Sequence, residues 1–228
     1  MFKRTLLLAI FSLVFLEILA RILPVANGYF LANVDIYDPI AHRVPNKFGI
    51  SSKGWLLKKS NKRWINNEGF LHDSNYYKSN DPLTAIIGDS QIEAPLLNFQ
   101  DTVQVKLARK DNFKHRYYTF AMSGAPLTQY LIWLKYVEKK FNPDKVIIVV
   151  SPNDFIESFN EYGLFDGFHY LDKNKNNDYK ILLRPYIRSF NSKVVENFYF
   201  LAYLHNNIGF PELIKSAFSS DREISKVE

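Results

Sequence analysis

Ala85-Ile86-Ile87-Gly88-Asp89-Ser90 is a short apolar run that ends in Gly-Asp-Ser, with the serine where a strand should stop. In an open α/β sheet, ligands bind beyond the carboxyl ends of the strands. A serine just past such an end, close to a helix N-terminus, is placed to act as a nucleophile. The tripeptide alone is also an ordinary strand-to-loop turn. Two more strand ends keep it company. Tyr117-Tyr118-Thr119-Phe120-Ala121 runs into Ser123-Gly124, and Lys145-Val146-Ile147-Ile148-Val149-Val150 runs into Ser151-Pro152-Asn153-Asp154. The last strand has no polar alternation, the pattern of a strand buried on both faces.

Helical patterns separate these strands. Asp101 can cap residues 102–110, and Pro126 opens residues 127–141, where apolar residues recur at 127, 130, 131, 134, 137 and 141. The order β-α-β-α-β predicts right-handed crossovers and a parallel sheet. The expected fold class is therefore α/β, a three-layer sandwich on a parallel, flavodoxin-like sheet, with 85–87, 117–121 and 146–150 as parallel neighbours. Ser90, Gly124 and Asn153 then share one edge of that sheet. Pro95 limits a helix starting at Ser90 to about one turn. Gly-x-Ser-x-Gly is absent, since Ile92 follows Gln91, which argues against the nucleophile elbow of the α/β-hydrolases. Asp89 is expected to turn away from the nucleophile and support the loop.

This ordered set resembles the SGNH hydrolase superfamily, the GDSL-like esterases and acyltransferases, in its membrane-anchored bacterial envelope form. The first family block matches Gly88-Asp89-Ser90, the glycine that ends the second matches Gly124, and the asparagine of the third matches Asn153. Trp64-Ile65-Asn66-Asn67-Glu68-Gly69-Phe70 is similar to the Asn-x-x-Gly-Phe segment that precedes the first block in such proteins. The likeness covers residues 64–160. It implies acyl transfer without metal or cofactor. Ser90 would be the nucleophile, and the oxyanion hole would comprise the amides of Ser90 and Gly124 and the side chain of Asn153. Each such donor contributes about 3 kcal/mol to the transition state.

Departures from the family pattern are equally specific. The fourth block, Asp-x-x-His, stands late in these proteins. Here the sole Asp-x-x-His is Asp166-Gly167-Phe168-His169, thirteen residues after Asn153. On the family reading His169 is the general base and Asp166 orients it. On the plainer reading Gly167 is a loop glycine beside Phe165, Phe168 and Tyr170. His42 and His72 precede the first block, His115 opens a strand, and His205 lies in a helical pattern over 194–206 as a surface residue. Thr119 stands where the family often has Asn. The sequence ends in a polar tail, 219–228, where the family sheet continues. The expectation is a domain shortened on its C-terminal side and lacking its base, or a base that comes from elsewhere.

Met1-Phe2-Lys3-Arg4 is basic, and Thr5 to Leu23 is nineteen residues interrupted only by Glu17 and Arg21. That length spans a bilayer. Glu17 and Arg21 are four apart in the favourable order, near the far end, where long side chains snorkel. Ala-x-Ala is absent before Asn27, so an uncleaved anchor is expected over a signal peptide. Lys3 and Arg4 put the N-terminus in the cytoplasm and the rest of the chain outside it, in the periplasm or at the cell surface.

Without cysteine there is neither a disulfide nor a thiolate zinc site, and no metal-ligand cluster, phosphate loop or dinucleotide fingerprint appears. The net charge is +6, yet the basic residues are scattered, which does not describe a nucleic-acid partner. Lys58, Lys59, Lys62 and Arg63 form the one tight group and are read as a solvated face, with attraction to an acidic glycan or anionic lipid as the second reading. The expected organisation is an anchor over 1–24, an extended cover over 25–80 and an SGNH-like α/β domain over 81–228. Residues 179–188 are read as an edge strand limited by Pro185. Two functions follow. One is an SGNH-type esterase or acyltransferase acting on acyl groups, O-acetyl above all, of an envelope polysaccharide. The other is a catalytically incomplete SGNH-like domain that binds a glycan or an assembly partner.

Overall fold

The computed structural model of the chain describes residues 2–173 and 178–210. Residues 211–218, whose sequence also reads as a helix, and the tail at 219–228 lie outside the described residues. The elements run α1 (Phe2–Ile22), β1 (Lys47–Lys53), β2 (Lys58–Ile65), β3 (Leu83–Gly88), α2 (Ser90–Glu93), a 3-10 turn (Phe99–Asp101), α3 (Val103–Lys110), β4 (Arg116–Ala121), α4 (Leu127–Phe141), β5 (Lys145–Ile148), α5 (Pro152–Glu157), β6 (His169–Lys173), β7 (Tyr179–Leu183), α6 (Phe190–Asn197) and α7 (Tyr199–Ala202), followed by a π turn over Tyr203–Ile208. They form two compact units, neither continuous in sequence. The larger takes residues 29–49 and 62–188, the smaller residues 1–28, 50–61 and 189–228.

The larger unit is a mixed α/β fold around a three-stranded parallel sheet in the order β4-β3-β5. Gly88 pairs with Ala121 on one side of the central strand, and Ile87 pairs with Ile148 on the other. All six residues of β3 are buried. Its side chains alternate between two layers. Ala85 and Ile87 join Phe70, Phe120, Tyr130, Trp133 and Phe141 in one cluster, and Ile86 joins Ile92 and Ala121 in the other, with Leu107 of α3 packed against it. Helix α4 has the bounds read from its apolar spacing, and it buries Tyr130, Trp133, Val137 and Phe141. The indole of Trp133 donates to Ala41 O at 2.9 Å, so the largest core side chain leaves no polar atom unpaired.

Strand β5 departs from its expected surroundings. Its run reads as doubly buried, yet it stands at the edge of the sheet with Ile147 39% and Ile148 45% exposed. Among the described residues it pairs with β3 alone. Composition records what a strand could bury; the number of neighbours decides what it does bury. Strand β7 also ends early, at Leu183, two residues before Pro185, and pairs antiparallel with β6. The pattern over 194–206 is a broken helix. Phe198 is extended, with φ −114° and ψ 105°, and separates α6 from α7.

His72 gives the larger unit a titrating core group. The ring lies edge-on to Tyr76 and Phe99 at 5.1 and 5.0 Å. Its Nε2 is 3.2 Å from Tyr117 O, and its Nδ1 accepts from Ser74 N at 3.2 Å. Burial pushes the imidazole down to about 4. The unfolded chain then binds the proton more readily than the fold does, so this contribution is complete above about pH 6.5 and is lost as pH falls towards 4. Between pH 7 and 5 the loss amounts to about 2 kcal/mol. Burial raises the Asp154 carboxyl, which acts in the opposite sense, favouring the fold as pH falls. Urea unfolding of His72→Gln beside the parent isolates the histidine. The variant should lose most of the parent's weakening between pH 7 and 5, and equal slopes would remove this account.

In the smaller unit, α1 packs on α7 through Ala20 and Ala202, with Val25 beside them. Glu17 and Arg21 form the expected ion pair at 2.8 Å. They do more than snorkel. Glu17 accepts the amides of Tyr199 and Phe200 at 3.1 and 2.9 Å, and Arg21 donates to Asn197 O at 2.9 Å. The free amides at the start of α7 are thereby satisfied by a side chain of α1. Asn27 and Ile50 form an antiparallel bridge, and Asn207 joins Ala26 N to Ser52 Oγ.

Candidate active site at the end of the parallel sheet

Because the three strands are parallel, the chain leaves the same end of the sheet after Gly88, Ala121 and Ile148. Ser90 is the first residue of α2, exposed, directly after the central strand. The helix lasts one turn and stops at Ala94, which adopts the left-handed conformation before Pro95. Asp89 caps it, accepting from Gln91 N at 2.9 Å, so the carboxylate supports the turn as expected. Among the described residues neither the Ser90 amide nor the Gly124 amide has an acceptor. The first amides of a helix lack partners within it.

Two residues that the motif reading did not single out tie the loops together. Glu93 is one helical turn after Ser90, and its side chain is fully buried. It accepts from Ser123 N at 2.7 Å and Ser123 Oγ at 2.6 Å, and from Arg43 Nε at 2.6 Å. Arg43 in turn donates to Tyr29 O. The carboxylate thus fixes the residue just before Gly124 relative to the turn that carries Ser90. Gly124 has φ +78°, and a Cβ there would stand 2.4 Å from Cε2 of Phe165. The glycine is required by its left-handed backbone and by the ring packed upon it.

The third strand end is held by a second network. Ser151 caps α5 in a capping box with Asp154. Its hydroxyl donates to Asp89 Oδ2 at 3.2 Å, which links this turn to the cap of α2. Asp154 accepts from Ser151 N at 2.7 Å and from Tyr130 OH at 2.9 Å. Asn153 is exposed, and its amide donates to Glu157 at 3.1 Å on the same helix. In this state its side chain serves α5.

His169 begins β6 and meets the first turn of α4 at Gln129. The backbone amide of His169 donates to Gln129 Oε1 at 3.2 Å, and the Nδ1 atom lies 3.0 Å from the same oxygen. An acceptor shared in this way places the proton on Nδ1 and leaves Nε2 with a free lone pair. Burial holds this imidazole below its usual range. Asp166 does not orient it, as the fourth-block reading expected. The Asp166 carboxylate lies 3.8 Å from Arg184 Nε and is largely exposed. The partner of Nδ1 is instead the Gln129 side chain. Among the described residues no histidine hydrogen-bonds Ser90 Oγ. His42 faces Asp38, His72 Tyr117, His115 Asp111 and His205 Asn206.

Arg63 corrects the reading of the basic group at 58–63. Lys58, Lys59 and Lys62 are exposed, but Arg63 is buried. It donates to the carbonyls of Leu97 and Ala94, just past α2, and lies over the Phe99 ring. It therefore braces the loop that follows Ser90. No group of three or more potential metal ligands occurs among the described residues. No protein-family model, no curated protein and no solved structure matches this chain.

Proposed function

We propose that the larger unit is an SGNH-like, flavodoxin-type domain whose Ser90 edge carries out acyl transfer from an ester, with the O-acetyl groups of an envelope polysaccharide as the substrate class. The observation that carries this reading is the pair of acceptor-free amides, Ser90 and Gly124, at one end of a parallel sheet, held in register by Glu93. In the reaction, Ser90 Oγ attacks the ester carbonyl while a base takes its proton, and the carbonyl oxygen becomes an oxyanion facing those amides. Asn153 would add its donor after leaving Glu157. His169 is the candidate base, because its Nε2 lone pair is free. Departure of the sugar hydroxyl leaves an acyl-serine, which water or a second hydroxyl then resolves.

A second reading is favoured by one observation, the lack of a hydrogen bond between Ser90 Oγ and any described histidine. On that reading the domain binds a glycan or an assembly partner without turnover. A fluorophosphonate probe separates the two. The esterase reading expects labelling that Ser90→Ala abolishes and that His169→Ala slows by about 100-fold or more. A folded protein that leaves the probe untouched would establish the binding reading instead.

Among the described residues one helix, Lys3–Ile22, is long and apolar enough to cross a membrane, as either an anchor or a signal sequence would be. We read it as a retained anchor with the domain outside the cytoplasm. The support is that Glu17 and Ala20 belong to the packing of the smaller unit, which cleavage would dismantle.

A further inference from the structure

Among the described residues of the smaller unit, exposed apolar side chains gather around the outer half of α1. Phe198 and Phe200 and Leu201 line an apolar groove of about 400 Å³ with Leu13, Val14 and Ile18. Phe190 is 78% and Phe198 51% exposed. On the other side of the cluster, Leu57 packs with Ala20 and Ala202, and the hairpin tip beyond it presents Trp55, 67% exposed, and Leu56. The Tyr203 hydroxyl donates to Trp55 O at 3.0 Å, which fixes the tip beside the helical segment. Lys53, Lys58 and Lys59 flank the tip and are exposed.

Depth follows from helix rise. With 1.5 Å per residue, Leu13 to Ile18 stand roughly 6 to 14 Å below Ile22, and Ala20 about 3 Å below it. If α1 spans the bilayer with Lys3 and Arg4 at the inner face, Ile22 reaches the outer boundary of a core about 30 Å thick. The residues packed on Leu13 to Ile18 then lie within the outer leaflet. Their backbone tolerates that depth because Glu17 accepts the two leading amides of α7, the groups that hydrocarbon would leave unpaired. Trp55, level with Ala20 through Leu57, falls at the interface, where tryptophan is favoured, and the lysines meet the headgroups.

We propose that the smaller unit is a monotopic platform for an anionic bilayer surface. The 54–56 tip and the α6–α7 segment enter the outer leaflet around α1, and Lys53, Lys58 and Lys59 bind lipid phosphate. The proposal rests on α1 being a retained span, and its occupant is lipid rather than protein, because the patch is continuous with that span and three lysines flank its hairpin tip.

The chain has no cysteine, so single labels can be placed without background. The full chain carrying Trp55→Cys or Phe198→Cys, labelled with an environment-sensitive fluorophore, is reconstituted into vesicles containing phosphatidylglycerol. Leu56→Cys and Leu201→Cys serve where either variant fails to fold, and Glu138→Cys, exposed on α4, is the aqueous reference. The expected result is blue-shifted emission at 55 and 198, quenched by lipids with a nitroxide high on the acyl chain and protected from iodide, deeper at 198 than at 55. Flotation with vesicles but iodide quenching at 55 and 198 equal to that at 138 would overturn the platform while leaving the anchor standing. Failure to float with the vesicles would remove the anchor reading and the platform with it.

Discussion

Glu93→Ala lowers the stability of the larger unit by about 3–5 kcal/mol, the range for breaking a buried ion pair from one side. The side chain of Glu93 is fully buried and that of Arg43 is 12% exposed. Removing the carboxylate strands the guanidinium, and it also strands the amide and hydroxyl of Ser123. Glu93→Gln keeps the shape and one acceptor, so it should cost clearly less than the alanine change. Arg43→Met with Glu93→Leu removes both charges together and should recover a large part of the loss. Urea unfolding of the detergent-solubilised chain, followed by tryptophan fluorescence, measures the three variants against the parent. An alanine variant within about 0.5 kcal/mol of the parent would mean that the pair is solvated. The same variant should raise KM and lower kcat for any ester that the parent hydrolyses, because the loop bearing Gly124 loses its tether.

Gly124→Ala should cost about 2–4 kcal/mol, from two separable sources. The backbone sits at φ +78°, where an L side chain is strained by about 1–2 kcal/mol. The added methyl also falls 2.4 Å from the Phe165 ring, so that ring must move. Phe165→Ala in the Gly124→Ala background removes the collision and leaves the backbone strain. The double variant should therefore be more stable than the sum of the single changes implies. Simple additivity would show that Phe165 does not pack on the glycine, and a neutral Gly124→Ala would show that the left-handed turn is not populated.

The sheet was legible because β3 runs into Gly-Asp-Ser and the run of β4 breaks at Ser123-Gly124, and because α4 combines a Pro start with strict helical spacing. Their parallel sense follows from the connection rules, whereas the order β4-β3-β5 does not. Ser90, Asp89 and the one-turn limit of α2 were legible for the same local reasons. Beyond that, local signals fail in recognisable ways. Arg63 shares its neighbourhood with three lysines, and only the carbonyls that surround it distinguish a buried guanidinium from exposed ammonium groups. Arg43 and Glu93 are fifty residues apart and belong to no shared pattern. Gln129 rather than Asp166 meets the His169 ring because α4 brings its first turn against β6, a tertiary meeting with no mark in either segment. The break at Phe198 is invisible to periodicity, since α6 and α7 keep compatible apolar positions on both sides of it. The exposure of β5 depends on which strands lie beside it, and a run of Val and Ile cannot state its number of partners.

That bare strand has a colloidal consequence. From 144 to 150 the only charges are Asp144 and Lys145 at its start, and Asp144 is already engaged by Leu83 N. The stretch after them carries no gatekeeper charge and no proline until Pro152. Its outward N-H and C=O groups are a template for any extended segment that arrives, from another molecule or from a partner supplied to it. Refolding yield should then fall as protein concentration rises. A single lysine at Ile147 should restore it without touching the Ser90 edge, since that position lies in the strand and not in the turns beyond it.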